Sequence, residues 1–198
     1  MTRTRFACAA AILLWRKSCA RAVSYTHLDV YKRQALYRAI DIAHAAGVRI
    51  VLNPAPAAEI PPEVMKKIDI VPPNETEAQV LTGIEVKTQQ DAERAAKVFM
   101  DKGVKNVVIT MGALGAFATD GKKSELLPRL KVDAIDTTGA GDAFNGGFVM
   151  ALSEGGDLFE ALRYGNATGA LSVTKKGTAP SMPSRGEIDR MVEENYHI

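Results

Sequence analysis

Apolar positions along the chain repeat with two periods, near four residues and near two, and their alternation lays out a series of helices and strands. In residues 35–47, Leu36, Ile40 and Ala43 share one face, and Gly47 suits the position just past a helix. VRIVLNP, 48–54, predicts a short β-branched strand stopped by Asn53 and Pro54. PPEVMKKI predicts a helix of one to two turns, and DIVPP, 69–73, a second strand. NETEAQVLTG, 74–83, reads as a helix whose first turn holds Glu75 and Glu77, where the helix dipole favours acids. Residues 88–103 predict a longer helix with Thr88 as N-cap, a buried stripe of Ala92, Ala95, Ala96 and Phe99, and Gly103 at its end. VKNVVIT, 104–110, is a buried strand, and ATDGKKSELL a hairpin turning at Asp120-Gly121.

Further on, Phe144, Phe148 and Leu152 recur at helical spacing, so a helix starts at about Asp142. Asp157 and Glu160 open another, lined by Leu158, Ala161, Leu162 and Gly165 and running to about Val173. RGEIDRMVEE predicts a terminal helix. Helices alternating with short strands at this spacing imply parallel strands joined by crossover helices, an α/β fold.

Charge divides the chain. Residues 1–34 hold seven basic residues and one acid, which is +6; the other 18 basic and 22 acidic residues give −4. A mildly acidic body argues against nucleic-acid binding. Both cysteines, Cys8 and Cys19, also lie in residues 1–34, so the body offers neither a disulfide nor a thiolate metal site. FACAAAILLW, 6–15, has the shape of a secretory leader but is too short to span a bilayer. SYTHLDVYKRQ, 24–34, resembles a translated adapter tail, so residues 1–34 are expected to be foreign to a fold comprising 35–198. Residues 48–54 and 68–72 are then expected to lack a covering strand on one side, an aggregation liability.

The chemistry concentrates in DTTGAGDAFNGGF, 136–148. Small residues before a helix leave backbone N–H groups uncovered, and with the dipole these form an anion site. Asp142 stands at its edge, where a carboxylate can take a proton from an attacking hydroxyl. An anion hole beside a carboxylate suits phosphoryl transfer to an alcohol. Phe144 replaces the third glycine of a dinucleotide fingerprint, and no Lys-Ser or Lys-Thr follows as in a Walker A loop. Taken alone, GAG is equally a tight turn and Asp142 a helix-end acid.

The whole string closely resembles the DTxGAGD signature of the ribokinase-like (PfkB) carbohydrate kinases. NETE, TMGALG and KKGTAPS follow the same family's pattern, in its order, across residues 35–198. The resemblance implies a three-layer α/β/α fold with a mostly parallel sheet, of which the C-terminal part is present. It implies ATP-dependent phosphorylation of a sugar hydroxyl, D-ribose first, with fructose or 2-keto-3-deoxygluconate as alternative acceptors, or a non-catalytic nucleotide-binding module. Asp142 would be the base and sugar contact, and the N–H groups of Gly139, Ala140 and Gly141 the anion hole. ATP would meet Asn74, Thr110, Met111, Gly112, Ala113, Leu114, Gly115, Gly141 and Asn166. Glu77 would organise Mg2+, for which one carboxylate with waters and phosphates suffices. Asp136, Thr138, Ser172, Lys175, Gly177 and Ser181 would hold K+, Lys175 and Gly177 through backbone carbonyls only, since an ammonium cannot ligate a cation. The family's sugar-binding glycines and β-sheet lid have no counterpart before residue 35, so the chain is expected to be an incomplete, inactive part of a cytoplasmic enzyme. The lid implies a homodimer for the complete enzyme and none for this chain.

Overall fold

The computed structural model describes residues 6–8 and 26–196. A six-stranded sheet runs in sequence order: β1 (Phe6–Cys8), β2 (Arg49–Val51), β3 (Ile70–Val71), β4 (Asn106–Thr110), β5 (Ala116–Thr119) and β6 (Ser124–Leu127). β1 to β4 are parallel, and β4–β5–β6 antiparallel. Helices α1 (Thr26–Ala45), α2 (Pro62–Met65), α3 (Glu75–Thr82) and α4 (Gln89–Asp101) precede or link the parallel strands. Helices α5 (Ala140–Ser153), α6 (Leu158–Ser172) and α7 (Arg185–Tyr196) complete the chain.

Successive strand residues point to opposite faces of a sheet, and here each face carries its own core. Ile50, Val71, Val107, Ile109 and Phe117 pack with Ile40 of α1 and with Ala92, Ala95, Ala96 and Phe99 of α4. Val51, Ile70, Val108, Ala116 and Ala118 pack with Phe144 and Phe148 of α5 and Leu162 of α6. The result is the expected α/β/α sandwich. Phe99, Phe117 and Phe148 are fully buried, each stabilising the fold by about 1.5–3 kcal/mol relative to an exposed ring.

Strands are shorter than the apolar pattern predicts, for local reasons. Val104 N–H still bonds back to Phe99 O at 3.2 Å, so 104 finishes the α4 cap and pairing starts at Asn106. β3 ends at Val71 because Pro72 and Pro73 have no N–H to give a ladder. The hairpin forms as expected, with Asp120 Oδ1 accepting from Lys122 N–H and Lys123 N–H.

Two expectations change. The helix expected from residue 35 begins at Thr26 and runs through position 34 without a break. No glycine or proline stands in residues 26–34 to stop it. The strand at 48–54 does not have an open side: β2 lies between β1 and β3. Of the leader-like run at 6–15, only 6–8 fall among the described residues. No helix among the described residues is long and apolar enough to cross a membrane.

Helices α5 and α6 approach closely because small residues line the contact. A Cβ on Gly147 would collide with Thr168 Oγ1, and one on Gly165 would lie 3.0 Å from the Phe144 ring.

Candidate active site

A cleft of about 240 Å³ opens where β2, β3 and β4 end and α5 begins. Ligands of open α/β sheets sit at such carboxyl ends. Asn74, Glu77, Thr110, Gly139, Ala140, Gly141 and Asp142 all line it, so the structure gathers the catalytic and phosphate-facing residues expected from sequence.

Asn74 is the N-cap of α3. Its Oδ1 accepts from Glu77 N–H at 2.8 Å, and Glu77 Oε2 accepts from Asn74 N–H at 2.9 Å. This reciprocal pair satisfies two of the helix's orphan donors and anchors both side chains at the cleft. Asn74 also bridges Thr110, and Thr110 N–H donates to Pro73 O at 3.0 Å, tying α3 to the end of β4.

At the head of α5, Gly139 adopts φ of +79°, a left-handed conformation that glycine accepts without strain. The helix therefore starts at Ala140, slightly ahead of the expected Asp142. Ala140 N–H donates to Thr137 O at 3.2 Å, which removes it from the anion hole that the sequence suggests. The N–H groups of Gly139, Gly141 and Asp142 have no partner among the described residues, and all three residues line the cleft. The Asp142 carboxylate is exposed and makes no hydrogen bond or ion pair among the described residues.

Behind this turn, the expected cation residues form a second cluster. Asp136 Oδ2 accepts from Gly177 N–H and Oδ1 from Thr138 N–H, both at 3.0 Å. These bonds, Gly177 first and then the Thr138 side chain and backbone, hold the Asp136 carboxyl down at about 2. Val173 O accepts from Ile135 N–H at 2.7 Å and Asp136 N–H at 3.2 Å. Thr178 packs on Gly139, where a Cβ would lie 3.1 Å from its Cγ2. Ser172 and Ser181 are buried and donate to Gly169 O and Thr178 O, which leaves their hydroxyl oxygens as acceptors. Lys175 Nζ pairs with Glu187 at 3.2 Å, its ammonium committed to α7. An anionic carboxylate among hydroxyl and carbonyl oxygens is a donor set that fits a hard monovalent cation. No cluster of three His, Cys, Asp or Glu side chains exists among the described residues, so a divalent ion at Glu77 would lean on ligand oxygens and water.

Two groups stand off the cleft. Gly112–Leu114 form a single 3-10 turn, with Met111 N–H bonded to Gly115 O at 2.8 Å. Ala113 and Leu114 are exposed, and Gly115 lies so tightly on residues 127–129 that a Cβ would collide with Leu127 O. Asn166 is buried in α6, its Nδ2 donating to Pro128 O and Tyr196 Oη. The structure therefore places Asn166 and the TMGALG turn against the same short segment, away from the phosphate end.

Sequence reasoning missed Asn53, Ala55, Pro72, Thr137 and Asn145, all of which line the cleft. Asn145 was within reach of it: on a helix, a residue three after Asp142 shares its face. Its Oδ1 is buried without a hydrogen-bond partner.

The model of the pfkB family carbohydrate kinases matches residues 10–185. The chain is 52% identical over 155 residues to ribokinase of Haemophilus influenzae, covering 78% of this chain and 51% of that protein. It resembles the structure of Arabidopsis thaliana ribokinase complexed with ribose and ATP, with a TM-score of 0.75 and 33% identity, over 79% of this chain and 51% of that one. It also resembles phosphofructokinase-2 of Escherichia coli in complex with potassium, with a TM-score of 0.67 and 25% identity, over 82% and 52%. The chain spans about half the length of the curated relatives it matches.

Proposed function

Since the chain belongs to the pfkB family of carbohydrate kinases, we propose that it forms the nucleotide and phosphate end of an ATP-dependent sugar kinase whose acceptor is D-ribose. One observation carries the reading: unpartnered N–H groups of Gly141 and Asp142 share a cleft with the Asp142 carboxylate and with Glu77. The ribokinase names of its relatives support the choice of ribose.

In this reading the carboxylate of Asp142 accepts the proton of the sugar hydroxyl. That oxygen forms a bond to the γ-phosphorus as the bond to the β,γ-bridging oxygen breaks, releasing ADP. The N–H groups of Gly141 and Asp142 hold the phosphoryl oxygens as charge shifts among them. Asn74 fixes Glu77, whose Oε1 is left to face ligand water. A magnesium ion held there would neutralise phosphate charge. The Asp136 cluster braces the turn that carries the donors, and a potassium ion among its oxygens would stiffen it.

The test has two parts. Amide NMR of the chain titrated with ATP and magnesium is expected to shift Asn74, Thr110, Gly141 and Asp142; shifts confined to another surface sink the assignment. In the full-length enzyme, Asp142→Asn is expected to lower kcat by about 10²–10⁴-fold, the usual worth of a general base. ATP affinity is expected to stay nearly unchanged. A variant that keeps most of its kcat reduces Asp142 to a helix-end residue.

A further inference from the structure

Asn145 lies in the second turn of α5 and lines the cleft. Its Oδ1 is sealed from solvent and has no hydrogen-bond partner. Its Nδ2 has no partner among the described residues either, but is not sealed. The amide thus keeps its donor end open and its acceptor end inside. Reversing it would bury two N–H donors in place of one carbonyl oxygen, and orphaned N–H groups are the rarer of the two in protein interiors. The nitrogen-out orientation is therefore the favoured one.

This arrangement does nothing for stability. A buried acceptor without a partner costs about 1–3 kcal/mol, and a leucine, branched at the same carbon, would fill the place without that cost. A native group of this kind calls for a reason, and the open end of the amide supplies one.

Helix geometry shows what that end overlies. At about 100° per residue, position 145 lies about 40° to one side of 141 and about 60° to the other side of 142, above the gap between them. The rise from 142 to 145 is about 4.5 Å, and helical side chains lean back toward the N-terminus over the preceding turn. That turn bears the unpartnered N–H groups of Gly141 and Asp142. The space beside it is open: a Cβ on Gly141 would meet nothing within 4 Å.

We propose that Asn145 is a further catalytic residue, whose Nδ2 donates to the oxygens of the transferring phosphoryl group beside the backbone donors of Gly141 and Asp142. The inference rests on the sugar-kinase reading of the cleft. As the acceptor oxygen bonds to the γ-phosphorus, the electron pair of the bond to the β,γ-bridging oxygen leaves with ADP and the hydroxyl proton passes to Asp142. The phosphoryl oxygens carry negative charge throughout, and Asn145 holds them without giving up a proton. A lysine in its place would pair with Asp142 one turn back and lower the basicity of that carboxylate; a neutral amide forms no such ion pair.

The experiment is calorimetric titration of the 198-residue chain with magnesium-ATP and magnesium-ADP, for wild type and Asn145→Leu. ADP lacks the phosphoryl group that Asn145 meets. Asn145→Leu should lower the ratio of ATP to ADP affinity about ten- to a hundredfold, the worth of a hydrogen bond to a charged group, and leave ADP affinity as it is. In NMR spectra of wild type, the side-chain amide protons of Asn145 should shift with saturating ATP and stay in place with ADP. An unchanged affinity ratio in Asn145→Leu, or an equal loss for both nucleotides, overturns the proposal and leaves the nucleotide site standing. Should Asn145→Leu not fold, the wild-type spectra decide alone: amide shifts common to both nucleotides, or absent with both, overturn it. If wild type binds neither nucleotide, the sugar-kinase reading has failed and the proposal falls with it.

Discussion

A methyl group placed on Gly147 should separate α5, whose first turn lines the cleft, from its neighbour, and an adjacent glycine supplies the control. A Cβ at 147 would collide with Thr168 Oγ1 and lie 2.7 Å from Thr168 Cβ and 2.8 Å from Tyr164 O. Tyr164 O is a backbone atom of α6, and Thr168 Oγ1 is already bonded to it at 2.7 Å, so neither can rotate away. Overpacking of this kind costs about 1–3 kcal/mol. Gly146 sits one residue earlier on the same helix with open space around its missing Cβ. Both substitutions to alanine gain the same helix propensity, about 0.5–1 kcal/mol, so the difference between them isolates the packing cost. Gly146→Ala should stabilise the chain and Gly147→Ala destabilise it, with the two about 1–3 kcal/mol apart. Urea unfolding followed by circular dichroism measures both. For a domain of this size the gap corresponds to melting temperatures separated by about 2–4 °C per kcal/mol. Thr168→Ala in the Gly147→Ala background should recover part of the loss. Equal stabilities within about 0.5 kcal/mol, the scatter of neutral surface changes, would mean that α5 and α6 do not interlock as described.

Two further outcomes follow from the hydrogen bonds of the site. Glu77→Gln should melt like wild type, because an amide oxygen can still cap Asn74 N–H, yet lose the magnesium dependence of ATP binding; Glu77→Ala should lose both and cost about 0.5–2 kcal/mol, the value of a cap. Unchanged magnesium dependence in Glu77→Gln would remove Glu77 from the metal site. Asp136 has a folded pKa of about 2, below its ordinary 3.8, so its bonds to Gly177 and Thr138 add stability that is complete above about pH 4 and lost as pH falls through about 2. Asp136→Asn should therefore be less stable than wild type at neutral pH and converge with it near pH 2; parallel stability curves across that range would contradict the assignment.

How much of this was legible in the sequence depended on whether the determining contact was local. The α4 stripe and the caps at Thr88 and Asp157 were readable because each is decided within one or two turns. The strand at 104–110 was readable as buried, but that Val107 and Ile109 face one core and Val108 the other appears only in the fold, and proline positions and helix caps trimmed the strand ends. DTTGAGD pointed to the N–H groups of Gly139, Ala140 and Gly141 as an anion hole. That Ala140 N–H is instead taken by Thr137 O turns on the left-handed Gly139, which only the packed loop determines. Asn53 and Pro72 lie just past β2 and β3, far from DTTGAGD in sequence, so no spacing connects them to it, whereas Asn145 stands three residues after Asp142 on one helix. Asn166 was visible as a polar residue on α6, while Pro128 and Tyr196, to which its amide nitrogen donates, are 38 and 30 residues away.

The solitary carboxylate of Asp142 sets a division of timing within the site. The N–H groups of Gly141 and Asp142 are aimed when the chain folds, because the backbone that bears them is fixed by Gly139 and by the Asp136–Gly177 tie. The Asp142 carboxylate beside them is exposed and makes no hydrogen bond or ion pair among the described residues. In the sugar-kinase reading proposed above, its arrangement would be made afresh with each acceptor that arrives, at an entropic cost below the roughly 1.5–2 kcal/mol of the longest side chains. The phosphate end would then be ordered once for the life of the molecule, and the acceptor end at every turnover. An acceptor that could not itself orient that carboxylate would find the phosphate end ready and the base still turning.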